Sequence, residues 1–262
     1  MLRAPERSCI GREYDIATVF AQWIHPACTR TPALSSMLNR TLKIMLGIVL
    51  VPFCIGFTWQ FGATLFSITY KRDVPYYFIA GSFAYLTAHV LFRKPILTYV
   101  FGHELTHAFF ALLFGGKVKS FQASDRGGRV TITKSNFVIT LAPYFFPLYT
   151  SAALIMYWLA IVAGVGNAAG WLVFASGTTY AFHLILTFFF LQTDQNDIKE
   201  HGAIFSYPLI YLFNILFAAL LLWLLLAENM SYPKFLYSGI LKAANIMSLL
   251  FNKMYGIIRA MA

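Results

Sequence analysis

ILTYVFGHELTHAFFALLFG, residues 96–115, is apolar almost throughout and long enough to cross a bilayer, which takes about 20 residues. Its few ionisable groups are gathered in His103-Glu104-Leu105-Thr106-His107. On a helix, positions four apart share a face, so both imidazoles reach one metal ion. Glu104 stands beside them, where a carboxylate takes a proton from water. Zinc enzymes that hydrolyse peptide bonds use this HExxH arrangement with the glutamate as general base. An ionisable group at the centre of a membrane helix costs about 2.5–3.5 kcal/mol, so such a cluster marks a functional site rather than filler.

The rest of the chain agrees with a membrane setting. Of its 262 residues, 59% are hydrophobic and only 11% charged, against about 25% charged in soluble domains. The net charge of +10 sits in short segments beside apolar runs, which suits anionic lipid headgroups and gives no Arg-aromatic pattern for nucleic acid. Cys9, Cys28 and Cys54 match neither a disulfide framework nor a cysteine zinc site.

Working outward, residues 1–43 form a basic N-terminal tail; its apolar patch Ala17–Ile24 is too short to span and lacks a cleavage-like site. Residues 44–227 hold six apolar runs: Ile44–Tyr70, Tyr76–Phe92, Ile96–Gly115, Phe137–Gly164, Gly170–Leu191 and Ile204–Ala227. Pro143 and Pro147 predict a kink in the fourth. Between the third and fourth, Lys117–Lys134 places branched residues around Gly127-Gly128, which predicts a short β-hairpin turning at the glycines. Residues 228–262 predict an amphipathic helix with basic charges, lying in the interface; a seventh span is the rival reading. The expected fold is an all-α, multi-pass membrane bundle of about six spans with one hairpin after the motif helix.

A catalytic zinc site takes three protein ligands and keeps a position open. A histidine six residues beyond His107 is excluded, because Leu113 stands there. Between His107 and Gln192 the only carboxylate is Asp125; the next acidic cluster is Asp194, Asp197 and Glu200. Parity returns that cluster to the face where the motif helix ends. His107, eight residues before Gly115, sits roughly 12 Å below that face, so the acidic segment must reach inward. His183 matches His107 in depth and is the alternative ligand, or a hydrogen-bonding residue behind the ligands. His89 is expected to be structural, and His25 and His201 solvated.

At these residues the chain resembles the site-2 protease family of intramembrane zinc metallopeptidases. The likeness runs from about Tyr99 to Asn214: Gly102-His103-Glu104-Leu105-Thr106-His107-Ala108, Gly115-Gly116-Lys117-Val118, the hairpin, and Ala142-Pro143. The resemblance implies zinc held by His103, His107 and a late aspartate, with Glu104 as catalytic base. It also implies cleavage of membrane-protein substrates in or near their spanning segments, inside the lipid bilayer. The family's late Leu-Asp-Gly is replaced here by Thr193-Asp194-Gln195-Asn196-Asp197-Ile198, so either aspartate can be the third ligand. The second reading is a proteolytically inactive, metal-binding membrane protein acting as a scaffold. A metal transporter would want ionisable groups along a path across the bilayer, and a di-iron desaturase more than six histidines.

Overall fold

A computed structural model describes residues 33–261. Cys9, Cys28, His25 and the apolar patch of the N-terminal tail lie outside the described residues. The helices are α1 (Ala33–Ser67), α2 (Val74–Leu91), α3 (Ile96–Leu113), α4 (Phe137–Phe145), α5 (Leu148–Val162), α6 (Ala169–Leu191), α7 (Asn196–His201), α8 (Ala203–Leu221, extended by a π turn to Leu226) and α9 (Tyr232–Met261). Strands β1 (Val118–Ser124) and β2 (Gly127–Ile132) form the antiparallel hairpin between α3 and α4.

Sequence punctuation sets the ends of the motif helix. Pro95 stands at the N-cap of α3, where its missing N–H costs nothing. At the far end Gly115 takes φ 70, its N–H reaching Leu112 O and that of Gly116 reaching Ala111 O. This left-handed cap satisfies carbonyls that would otherwise be orphaned in an apolar setting.

The hairpin differs from expectation in its turn. Asp125 and Arg126 make it, and neither has positive φ; Gly127 (φ 133) pairs with Ser124 as the first residue of β2. The second glycine serves a different purpose. A Cβ on Gly128 would fall 2.5 Å from Glu104 Cγ and 2.7 Å from Val100 Cγ1. β2 therefore lies directly on the motif helix, and only a residue without a side chain fits between them.

The fourth apolar run is broken rather than bent. α4 and α5 meet at 72°, with Phe146-Pro147 between them. Phe146 is extended, as a residue before proline must be. Pro143 sits inside α4 without interrupting it.

Among the described residues, four helices are long and apolar enough to cross a membrane: Arg40–Ser67, α3, α6 and Ala203–Leu226. The α4–α5 pair makes a fifth if taken as one broken span. The expected second span, α2, is not one of them, because Tyr76, Tyr77, Ser82, Tyr85, Thr87 and His89 dilute its hydropathy. It packs on α6 by backbone contact instead. A Cβ on Gly81 would meet Phe174 O at 2.0 Å, and one on Gly177 would meet Phe78 O at 2.0 Å. Such small-residue contacts hold helices together in lipid, where apolar burial gives little drive. On the other side α1 packs against α8 and α9, with Gly56 against the backbone of Ala243. α9 buries Phe235, Gly239 and Ala243, and every residue from Met247 to Met261 is exposed.

Candidate metal centre

Helix α3 sets His103 and His107 one turn apart, with their Nε2 atoms 3.2 Å from each other. From the α6–α8 connection, α7 brings in Asp197. Its Oδ2 lies 3.3 Å from His103 Nε2 and 3.5 Å from His107 Nε2. Burial works to raise the Asp197 carboxyl, but hydrogen bonds to His103 and His107 outweigh it and hold the group well below the usual carboxylate range.

The fit to zinc follows from these lengths. Ligands at about 2.0–2.1 Å around a tetrahedral zinc are separated from one another by roughly 3.3 Å. The three separations match three edges of such a tetrahedron, and the fourth corner is left for water or substrate. Two nitrogens and one carboxylate oxygen are also a donor set that catalytic zinc sites use.

The orientation of His107 has a covalent origin. Its Nδ1 lies 2.8 Å from the Ile139 carbonyl, which only accepts, so Nδ1 carries the proton and Nε2 offers its lone pair. In a regular helix that carbonyl would be taken by the N–H four residues on. That residue is Pro143, which has no N–H. The proline thus releases the carbonyl that fixes the histidine. Behind the carboxylate, the fully buried Tyr144 donates its hydroxyl to Asp197 Oδ2 at 3.0 Å. Neither Pro143 nor Tyr144 is singled out as a site residue by the sequence. The proline reads there as a kink, and the tyrosine as one aromatic among many.

Glu104 is buried beside this cluster and supplies none of its three convergent atoms. Its carboxylate meets the backbone N–H of Val130 on β2. Motif helix, hairpin and α7 together line an open cavity of ≈ 370 Å³ whose lining includes His103, Glu104, His107, Asp197, Gly128 and Arg129.

The other candidates are placed differently. Asp194 reaches the rim, but its side chain is 72% exposed and bonds Lys199. His183 is buried on α6 and outside the cluster. His89 lies 3.2 Å from the Tyr85 hydroxyl. His201 is not solvated: α7 tucks it inward, where its Nδ1 accepts from Lys43 Nζ at 2.8 Å. Burial first, and then the Lys43 charge, push its imidazole down to about 4.

Comparison with curated proteins and with solved structures finds no match. A model of the peptidase M50B-like family matches residues 76–194. That stretch holds His103, Glu104, His107, the hairpin and Tyr144, and ends three residues before Asp197. With apolar helices around a buried HExxH helix, the match supports membership of the chain in the site-2 protease family.

Proposed function

We propose that this integral membrane protein is an intramembrane zinc metalloprotease that hydrolyses peptide bonds in or near the spanning segments of other membrane proteins. The observation that carries this reading is the triangle of His103 Nε2, His107 Nε2 and Asp197 Oδ2, with separations matching the edges of a tetrahedral zinc site. In this reading these three residues hold the metal. Zinc, when bound there, brings the pKa of water to near 7 and polarises a carbonyl. Glu104 takes the proton of the attacking water on its carboxylate and passes it to the leaving amine. β2 of the hairpin packs directly over that side chain. The β2 edge lines the same cavity, so an unwound substrate strand can pair along it, as in other strand-addition complexes.

Metal analysis and cleavage assays on purified protein test this together. Wild type carries one zinc per chain, and His103→Ala loses it. Glu104→Gln keeps zinc and its cleavage of a membrane substrate falls by about 10²–10⁴-fold, the usual contribution of a general base. A zinc-loaded wild type whose biological function survives Glu104→Gln unchanged is instead the inactive scaffold.

A further inference from the structure

His183 is buried in α6, is absent from the ligand triangle and has no part in the proton transfers above, yet a histidine is costly to bury there. Among the described residues its Nε2 has no hydrogen-bond partner. The same holds for His103 Nδ1, on the side of the ligand ring turned away from Asp197. Both residues line one small cavity of ≈ 20 Å³ behind the metal centre. A water needs about 10–15 Å³, so the space admits one.

The neighbours do not satisfy these nitrogens. Four hydroxyls also line the cavity; three already donate to backbone carbonyls, Thr106 to Gly102 at 2.7 Å, Tyr149 to Thr98 at 2.7 Å and Thr179 to Ala175 at 2.8 Å, and the fourth, that of Tyr99, has no hydrogen-bond partner among the described residues. The first three have no proton left for His183 Nε2, and the Tyr99 hydroxyl bonds neither nitrogen. If His103 binds metal through Nε2, its proton sits on Nδ1 and needs an acceptor. Ligand histidines nearly always make that second bond, to a carboxylate, a carbonyl or water. His107 makes it to Ile139; His103 has no protein partner for it.

We propose that His183 is a positioning residue for the metal site, joined to His103 by one buried water. The water accepts from His103 Nδ1–H and donates to His183 Nε2. His183 then carries its own proton on Nδ1, and its side chain also interacts with that of Asn214, whose Oδ1 is unpartnered. Asn214 in turn donates from Nδ2 to the carbonyls of Tyr144 and Ile210. The chain fixes the tautomer and tilt of His103 as Ile139 fixes those of His107.

This rests on the zinc reading above, and the test separates the two. Zinc affinity is measured by chelator competition on the full-length protein in detergent, with the visible spectrum of the Co²⁺ form as second readout. His183→Leu should bind zinc about 10–100-fold more weakly and shift the Co²⁺ bands, as loss of an outer-shell partner does. His183→Gln, which sets an amide near the Nε2 position, should recover most of the affinity. A His183→Leu protein with wild-type affinity and spectrum overturns the proposal and leaves the zinc site standing. Wild type that takes up no zinc overturns both. Should His183→Leu not fold, a high-resolution structure of wild type decides. One ordered water within hydrogen-bonding reach of His103 Nδ1 and His183 Nε2 sustains the proposal, and its absence there removes it.

Discussion

Asp194 and Asp197 lie three residues apart and have opposite expectations attached. Asp197→Asn removes an oxygen of the triangle, so zinc affinity should fall by more than the about 10–100-fold that an outer-shell partner commands. Asp194→Asn, changed in an exposed pair with Lys199, should leave affinity unchanged. Tyr144→Phe keeps the ring and drops only the hydroxyl bond to Asp197 Oδ2, so its loss should stay within about 10–100-fold. Equilibrium zinc titration of the three variants ranks them. At this scale the histidines are legible in the sequence because helical periodicity alone puts residues four apart on one face. The choice between the aspartates is not. It depends on where α7 begins and on Tyr144 reaching across from α4, contacts between residues more than fifty positions apart that leave no periodic trace.

Among the elements, the hairpin depends most on a single position. Gly128→Ala sets a Cβ inside contact distance of Glu104 and Val100, so β2 must lift from α3. Overpacking of this kind costs about 1–3 kcal/mol, and the displaced strand no longer brings the Val130 N–H to the base. A lowered thermal midpoint together with reduced cleavage is expected. Gly62→Ala in α1 is the control: none of the described residues lies within 4 Å of the added methyl, and alanine favours the helix by up to about 1 kcal/mol, so its midpoint should hold or rise. Apolar runs and prolines reveal most of the helices and the break at Phe146-Pro147. They misplace the hairpin turn, because Gly127-Gly128 looks locally like a turn while its second glycine answers to a helix that the hairpin sequence does not contain.

For the whole molecule, six apolar runs in the sequence become, among the described residues, four or five helices with the length and hydropathy to span, since tyrosines and hydroxyls lower the hydropathy of α2. The end of α9 stands apart from the rest of the fold. Because residues 247–261 touch little of it, a chain ending at residue 246 should keep its zinc content and thermal midpoint; a metal assay and a melting curve check both. The Pro143 arrangement affects the order of events as well as the geometry. The Ile139 carbonyl is freed by covalent structure, before any packing exists, so His107 receives its partner as soon as α3 and α4 meet. Its lone pair then already points at the ligand triangle, and metal capture at this residue requires neither a ring-proton exchange nor the breaking of a helical bond. Folding prepares the site, and loading can follow as a later, separate step.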